Sequence, residues 1–274
     1  MSNVKEIATS IFPLETGIKC KDIAEHVLCL LCTKCRATHE DRVVDDFRNI
    51  NQYIDHTLLK ADAQPADIIK LCEEAYEHKF KSVCINPTYI DIVKSYTYSP
   101  PICTVIGFPL GASISKVKLF EAKAAIESGA KEIDMVINIG FMKDSMYLYI
   151  FDEISQIAKV CEENNVLLKV IIETCLLTEE EIIKACLIAK KAGTDFIKTS
   201  TGFFASGAEV NTVNLIRKVV GRKVGVKASG GIKTKANVLA MLEAGASRIG
   251  TSNSVSIVKE IEGNSIEQSR QNLY

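Results

Sequence analysis

Short apolar runs and longer amphipathic stretches alternate along the chain from about residue 54. The apolar runs are rich in β-branched residues and have the length of strands, whereas the stretches between them carry charged residues on one helical face. The predicted strands are residues 54–59, 81–86, 102–108, 132–138, 167–173, 196–201, 224–229 and 248–252. The clearest predicted helices are residues 65–80, 116–130, 178–193 and 234–246, and three of them reach a capping glycine at Gly129, Gly193 or Gly245.

Eight strands that alternate with eight helices predict an α/β protein with a (β/α)8 fold, the TIM barrel. About 208 residues, from 54 to 261, is the compact end of the range for that fold. The alternative is a doubly wound open sheet, which we disfavour because no Gly-x-Gly-x-x-Gly turn follows the first strand. The predicted domains are an N-terminal extension at 1–50 that is helical from about Lys21 to Phe47, the barrel at 51–262, and a polar C-terminal tail at 263–274.

Composition and charge narrow the class of protein. The 274 residues are 47% hydrophobic and carry a formal net charge of −1, so no broad positive surface is available for nucleic acid or an anionic membrane. No apolar run approaches the ~18 residues of a membrane span, and the N-terminus lacks the pattern of a secretory signal. We therefore expect a cytoplasmic protein that binds neither nucleic acid nor membrane. Separately, we expect a homo-oligomer, a dimer or higher, whose subunits meet through barrel helices or the N-terminal extension.

The ten cysteines fit a reducing compartment, because many lie in apolar runs where a free thiol packs as a small hydrophobe. Cys29, Cys32 and Cys35 form a C-x2-C-x2-C run with Cys20 and His39 nearby, a pattern that zinc and iron–sulfur sites use. The run lies among leucines of a predicted amphipathic helix, and no second C-x2-C completes a ligand set. We therefore expect no metal site.

The alternation within each strand predicts which side chains point into the barrel. Successive residues of a strand face opposite sides, and the aliphatic set marks the side that faces the helices. In residues 132–138 that set is Ile133, Met135 and Ile137, so Asp134 turns inward. The same argument turns four more charged side chains inward, namely Lys169, Glu173, Lys198 and Lys227.

An aspartate and three lysines at similar depth are unusual in a barrel interior, which Val, Ile and Leu normally fill. Buried charges are costly unless they pair or take part in chemistry. Lys198 and Lys227 lie on adjacent strands, and we expect repulsion and burial to lower the pKa of each, which favours the neutral amine that a Schiff-base nucleophile requires. The alternative is an ion-pair network of Asp134, Glu173 and the lysines that only stabilises the barrel.

Two small-residue turns point to phosphate binding. Ser229–Thr234 (SGGIKT) follows the seventh strand, and Gly250–Asn253 (GTSN) follows the eighth. Loops seven and eight of this fold often bind phosphate with backbone N–H groups and helix N-termini. Together with the lysine pair, they favour a phosphorylated substrate that has a carbonyl group.

Over residues 51–258 the chain resembles the deoxyribose-phosphate aldolases, class I aldolases built on the (β/α)8 barrel. The resemblance is carried by EIDMVINIG (132–140), FIKTSTGF (196–203), GVKASGGIKT (225–234) and further motifs from IDHTLLKADA (54–63) to AGASRIGTS (244–252). It implies that Lys198 is the Schiff-base lysine, that Lys227 tunes its pKa, and that Asp134 is the proton-relay carboxylate. The residues that the resemblance assigns to substrate binding are Asp55, Lys169, Thr199, Gly202, Gly230, Gly231, Gly250, Ser252 and Asn253.

The implied reaction is the reversible cleavage of 2-deoxy-D-ribose 5-phosphate to acetaldehyde and D-glyceraldehyde 3-phosphate in deoxyribonucleotide catabolism. It uses a small phosphorylated aldose as substrate and needs no metal and no organic cofactor. The chain departs from the family pattern at Asn253, where many members have Ser, and at Phe203, where some have a phosphate-reaching Lys. The missing charge would then come from elsewhere, with Lys233 as the candidate.

Two other functions remain open from the residues. A transaldolase-like or ketose-phosphate aldolase would share Lys198 and the phosphate loops but would take a dihydroxyacetone-type donor. A catalytically silent phosphosugar-binding protein would keep the barrel, but it would have no reason to retain costly buried charges at Asp134, Lys198 and Lys227. The neighbouring Cys84 and His56 are interpreted as packed side chains, the first facing inward and the second facing the helices.

Overall fold

Eight parallel strands close into a barrel in the computed structural model, which describes residues 49–260. Each strand pairs with its neighbours in chain order, and the eighth pairs back with the first. The predicted barrel is therefore confirmed. The strands are β1 (Ile54–Leu58), β2 (Ser82–Ile85), β3 (Ile102–Ile106), β4 (Glu132–Val136), β5 (Leu167–Ile171), β6 (Phe196–Lys198), β7 (Gly225–Ser229) and β8 (Arg248–Thr251).

Helices follow every strand, as the alternation predicted. They are α1 (Pro65–Glu77), α2 (Ile90–Ser95), α3 (Ser115–Ser128), α4 (Ile139–Lys143), α5 (Tyr147–Glu163), α6 (Glu179–Ala192), α7 (Val210–Val220) and α8 (Lys235–Glu243), and residues 254–260 are helical after β8. Short 3-10 turns lie at Ile50–Tyr53, Pro87–Tyr89 and Thr174–Leu176. The glycine caps are confirmed at Gly129 and Gly193, whose φ angles of 120° and 100° suit a residue without Cβ.

Several strands end earlier than the sequence predicts. β6 ends at Lys198 rather than at residue 201, and β5 ends at Ile171 rather than at residue 173. After β5 the backbone leaves the extended conformation at Glu173, whose φ is +52°. The residues beyond these strand ends form loops at the carboxyl end of the barrel, which is where active sites of this fold lie.

The apolar core fills the layer between the sheet and the helices. Ile133, Met135, Leu168, Val170 and Ile197 belong to this layer, so the predicted outward face of the strands is confirmed. A smaller cluster that includes Leu59, Cys84, Cys103 and Val105 is separate from it. His56 is on the helix side, where Nε2 lies 2.7 Å from Glu74 Oε2 and Nδ1 lies 3.0 Å from Ser254 Oγ.

The predicted N-terminal helix at 21–47, its cysteine run and the polar tail at 263–274 lie outside the described residues. Within residues 49–260, none of the helices combines the length and the apolar character needed to cross a membrane.

Candidate active site

Seven charged side chains meet in the barrel interior, and we call them the charged cluster. All are buried, with exposed fractions between 0% and 4%. Burying so many charges is tolerable only because opposite charges lie in direct contact. The members are the carboxylates of Asp55, Glu132 and Asp134 and the cations of Lys169, Lys198, Lys227 and Arg248.

The parallel register brings these side chains together. Asp134 on β4 lies opposite Lys169 on β5, and Lys198 on β6 lies opposite Lys227 on β7. Lys169 lies opposite Phe196, two residues before Lys198, so the Lys198–Lys227 pair lies one layer nearer the carboxyl end of the barrel. The four charged side chains therefore occupy two successive inward layers of adjacent strands.

Asp134 contacts three of the four cations in the charged cluster. Its Oδ2 accepts hydrogen bonds from Lys198 Nζ at 2.9 Å and from Lys227 Nζ at 2.7 Å. Its Oδ1 accepts from Lys169 Nζ at 2.8 Å. Three ammonium groups thus share one carboxylate, and both lysines predicted for catalysis contact the same oxygen.

Asp55 and Glu132 neutralise the remaining cations. Arg248 Nη1 lies 2.6 Å from Asp55 Oδ1 and 2.8 Å from Glu132 Oε2. Glu132 Oε2 also lies 2.5 Å from Lys169 Nζ, and Asp55 Oδ2 lies 2.6 Å from Lys227 Nζ. These contacts make Arg248 a bridge between two carboxylates that each hold a lysine.

Charge pairing determines the direction of the pKa shifts in the cluster. Burial alone would raise the pKa of the Asp134 carboxyl, but Lys169, Lys198 and Lys227 outweigh it and hold this pKa well below its usual range. In Asp55 burial is likewise outweighed, chiefly by Arg248 and Lys227, and the pKa falls. Both groups are therefore carboxylates at neutral pH.

The expected lowering of the Lys227 pKa is wrong. Burial acts in that direction, but Asp134 and Asp55 together outweigh it and raise the pKa of Lys227 well above its usual value. Repulsion from Lys198 is predictable from adjacent strands, whereas the contact with Asp55 is made across the barrel. Lys227 is therefore a cation at neutral pH, and it contacts the same carboxylate oxygen as Lys198.

The cluster contains one cation more than it has carboxylates. The three carboxylates balance Lys169, Lys227 and Arg248, so the cluster is electrically neutral when the Lys198 amine carries no proton. That is the form of lysine that attacks a carbonyl carbon.

Glu173 does not join the charged cluster, contrary to the sequence prediction. Because the backbone turns at this residue, its carboxylate points to the loop after β6, where Oε2 accepts a hydrogen bond from the Thr201 backbone N–H at 2.9 Å. An ion-pair network does exist in the barrel, but its carboxylates are Asp55, Glu132 and Asp134.

A cavity of about 390 Å³ opens above Lys198 at the carboxyl end of the barrel. Its walls come from the loops after β1, β6, β7 and β8, which is the region where the sequence predicts phosphate binding. Within the charged cluster only Lys198 lines this cavity. The predicted site residues that line it are Lys198, Gly202, Gly230, Gly231, Gly250, Ser252 and Asn253.

Four residues that line this cavity have backbone N–H groups that are unpaired within residues 49–260. Among the described residues, no acceptor pairs with the N–H groups of Gly202, Gly230, Gly231 and Ser252. Gly230 and Gly231 have φ angles of +87° and +74°, a backbone conformation that residues with Cβ rarely adopt. Successive backbone N–H groups in turns of this conformation can form an anion-binding concavity.

Three residues predicted to bind substrate lie outside the cavity wall. Asp55 and Lys169 are fully buried beneath Lys198, within the charged cluster. The Thr199 hydroxyl donates to Ser229 O and accepts from Ser229 N, both at 3.2 Å, and so links the ends of β6 and β7. In this structure these residues support the groups that line the cavity.

Gly250 provides the space through which Lys227 reaches Asp55. It lies between Ser229 and Asp55 in the sheet register, and a Cβ at this position would come within 3.0 Å of Lys227 Cε. We expect Gly250→Ala to displace the Lys227 side chain slightly and to reduce kcat/KM by up to about 10-fold, less than the ~100-fold that a misplacement of about 1 Å can cost. Steady-state kinetics check this prediction.

Gly140→Ala is the matched control for Gly250→Ala. Gly140 lies in α4, and a Cβ there would have its nearest neighbour at an ordinary 3.5 Å. Its activity should equal that of the wild type. Equal activity of the Gly250 and Gly140 variants would contradict the role assigned to this gap.

Sequence reasoning missed Glu132, Arg248 and Cys103. Glu132 has the same strand parity as Asp134, and Arg248 has the parity opposite to Ile249, so the alternation could have identified both. Cys103 Sγ lies 3.2 Å from both Asp134 Oδ1 and Lys169 Nζ. Cys84 lies opposite Cys103 in the β2–β3 register, and a hydrogen bond with the Cys103 thiol lowers the pKa of Cys84 to about 7.

Two groups of potential metal ligands also lie in the interior. They are Cys84, Cys103 and Asp134, and Asp55, Cys103 and Glu132. Their carboxylates already accept lysine and arginine cations, so a metal ion would have to displace these partners. The donor set therefore suits ammonium and guanidinium groups better than a metal ion.

A family model, curated relatives and a solved structure all place the chain in one family of aldolases. The family model of the DeoC/LacD family aldolases matches residues 50–266. Deoxyribose-phosphate aldolase of Thermococcus kodakarensis is 55% identical over 216 residues, which cover 77% of this chain and 96% of that protein. The corresponding enzyme of Natranaerobius thermophilus is 52% identical over 213 residues, with 77% and 96% coverage. Deoxyribose phosphate aldolase from Aeropyrum pernix, whose solved structure is described as a unique tetramer, matches with a TM-score of 0.73 and 31% identity over 78% of this chain and 91% of that one.

Proposed function

The chain belongs to the DeoC/LacD family of aldolases, and on that premise we propose that it cleaves 2-deoxy-D-ribose 5-phosphate reversibly to acetaldehyde and D-glyceraldehyde 3-phosphate. The reaction proceeds through an imine on Lys198 and needs neither a metal nor an organic cofactor. The observation that carries the proposal is the position of Lys198, which lines the same cavity as four residues whose N–H groups find no acceptor in the described part of the chain.

Lys198 is the nucleophile of the proposed reaction. Its amine adds to the aldehyde carbon of the sugar, and loss of water gives an iminium ion. The iminium accepts the electron pair of the bond between carbons two and three when that bond breaks, and D-glyceraldehyde 3-phosphate leaves. The two-carbon enamine then takes a proton, and hydrolysis releases acetaldehyde and restores the Lys198 amine.

Asp134 stabilises the iminium ion and accepts a proton in these steps, and Lys227 supports Asp134. Asp134 Oδ2 contacts both lysines, so the carboxylate stabilises the cationic iminium next to it. The hydroxyl proton of carbon three passes through a bound water to Asp134, and the neighbouring lysines that lower the pKa of this carboxyl favour its return to the ionised form. Lys227 keeps its charge and orients Asp134.

The unpaired donors and Lys233 bind the phosphate group. Lys233 lines the cavity next to Gly230 and Gly231, whereas Phe203 occupies the position of the lysine found in some relatives and packs edge-on against Phe108. We expect Lys233→Met to raise the KM for 2-deoxy-D-ribose 5-phosphate by about tenfold, the scale for one hydrogen bond to a charged group, with little change in kcat. An unchanged KM in steady-state assays would exclude Lys233 as the phosphate cation.

Product analysis with purified protein distinguishes the candidate functions. Incubation with 2-deoxy-D-ribose 5-phosphate should yield acetaldehyde and D-glyceraldehyde 3-phosphate, and the reverse reaction should accept acetaldehyde as donor. Activity only with dihydroxyacetone-type donors would instead support the ketose-phosphate aldolase. Tight binding of the sugar phosphate without turnover would support the phosphosugar-binding protein.

We also propose that the chain acts in the cytoplasm, in deoxyribonucleotide catabolism, as a homo-oligomer. The relative from Aeropyrum pernix is tetrameric. Self-association is further supported by exposed apolar side chains between residues 110 and 120, namely Leu110, Ile114, Val117 and Phe120. Light scattering after size-exclusion chromatography tests this proposal, and a monomer at micromolar concentration would contradict it.

A further inference from the structure

Glu173 is a buried, strained residue that the proposed chemistry does not use. Its exposed fraction is 0%, and its φ of +52° and ψ of +69° place it in the left-handed region, which is unfavourable for a residue with Cβ. Strained residues of this kind persist where surrounding contacts hold them, and they cluster at functional sites. The contacts of the side chain indicate what holds it.

The Glu173 carboxylate binds the loop that follows the Schiff-base strand. Oε2 accepts hydrogen bonds from the backbone N–H of Thr201 at 2.9 Å and from its hydroxyl at 2.5 Å. The same hydroxyl accepts a hydrogen bond from the N–H of Phe203 at 3.2 Å. The carboxylate therefore holds Thr201 directly, and the Thr201 hydroxyl in turn holds the N–H of Phe203.

This turn forms part of the wall of the cavity. Thr201, Gly202 and Phe203 all line it, and the N–H of Gly202 finds no acceptor among residues 49–260. Glu173 itself does not line the cavity. Because Thr201 lies between the carboxylate and the cavity, Glu173 can fix the direction of a phosphate donor while its own negative charge is taken up by hydrogen bonds.

The strained backbone explains how the side chain reaches this loop. If β5 continued as an extended strand, residue 173 would share the parity of Lys169 and would point into the charged cluster. The turn at Glu173 instead directs the carboxylate towards Thr201. Next to it, backbone hydrogen bonds from Ile172 to Lys198 and from Thr174 to Thr199 hold the two strand ends together.

From these contacts we propose that Glu173 is a positioning residue for phosphate specificity. It holds the 201–203 turn in the form that presents the Gly202 N–H to the phosphate of the substrate. The proposal rests on the proposed function, since it assumes that the cavity binds the phosphate of an aldol substrate. It predicts that losing the carboxylate weakens recognition of phosphate and leaves the chemistry at Lys198 in place.

The test compares Glu173→Gly with Glu173→Gln on two substrates, 2-deoxy-D-ribose 5-phosphate and unphosphorylated 2-deoxy-D-ribose. Glycine tolerates the positive φ, so this variant removes the carboxylate without adding backbone strain. We expect the KM for the phosphorylated sugar to rise about tenfold or more, as for one lost charge-assisted hydrogen bond, while kcat/KM for 2-deoxy-D-ribose stays within about twofold. Glutamine keeps the shape and an acceptor oxygen, so Glu173→Gln should recover part of the loss.

Controls separate this role from a structural one. If Glu173 only stabilised the fold, kcat/KM would fall equally for both substrates, and the proposal would be overturned. Should Glu173→Gly fail to fold, Thr201→Val removes the hydroxyl partner instead and must raise the KM for the phosphorylated sugar. A wild-type protein that shows no preference for the phosphorylated sugar would overturn the proposed function itself, whereas a normal preference retained in every variant would overturn only the role of Glu173.

Discussion

Lys198→Met is expected to abolish aldol cleavage, with a loss of at least about 10⁴-fold in kcat, the scale for removing a group on which covalent catalysis depends. The fold should survive. Lys198 is the cation in excess of the carboxylates in the charged cluster, and Asp134 keeps Lys169 and Lys227 as partners after the substitution. The free energy of unfolding should therefore change by less than the ~3–5 kcal/mol that a broken buried ion pair costs.

Activity assays and chemical denaturation of the same preparation check both parts of this prediction. Lys60→Met is the matched control, because Lys60 lines the same cavity but is exposed and outside the charged cluster. It should keep most of the catalytic rate. Residual cleavage by Lys198→Met above about 1% of the wild-type rate would contradict the role of Lys198 as nucleophile.

Asp134→Asn is expected to lose both activity and stability. The substitution leaves Lys169, Lys198 and Lys227 without the carboxylate that they share, and it places an amide N–H next to ammonium groups. Removing one partner of a buried ion pair costs ~3–5 kcal/mol of unfolding free energy. Activity should fall by a factor of about 10² or more, because the iminium loses its counter-charge and the water loses its proton acceptor.

The difference in unfolding free energy between wild type and Asp134→Asn should become smaller as the pH falls. The pKa of the Asp134 carboxyl is well below its usual range in the folded protein, whereas it is ~3.9 in an unfolded chain. The ionised carboxylate therefore stabilises the fold fully above about pH 4, and this contribution is lost as the pH falls through the folded pKa. Denaturation curves should show that wild type and Asp134→Asn differ in unfolding free energy by a constant amount between pH 5 and 7. This difference should narrow only below about pH 4.

Asp152→Asn provides the reference for these curves, since Asp152 lies exposed on α5. Its unfolding free energy should match that of the wild type across the same range. If Asp134→Asn were as stable as Asp152→Asn at pH 7, the charged cluster would not depend on Asp134.

The alternation of apolar residues was sufficient to predict the fold and the inward direction of Asp134, Lys169, Lys198 and Lys227. These features depend only on the two-residue period of a strand, which is local in sequence. Glu173 was mispredicted because its direction depends on one positive φ angle at the end of β5, and the period gives no information there.

The charge state of Lys227 could not be predicted for a different reason. It depends on Asp55, which lies on β1 and comes close only because the barrel closes and Gly250 on β8 leaves a gap. Strand parity tells which side chains share the interior, but it does not give the distances between strands that are far apart in the chain. The partners that control the pKa of a buried lysine therefore require the three-dimensional structure.

The most direct test of imine chemistry at Lys198 is mass spectrometry of the intact protein and its peptides after incubation with acetaldehyde and borohydride. The reduction fixes an imine as a stable two-carbon amine adduct. We predict a single adduct located on Lys198 and its absence from Lys198→Met treated in parallel. No adduct, or adducts spread over surface lysines with none on Lys198, would contradict the proposed aldolase mechanism.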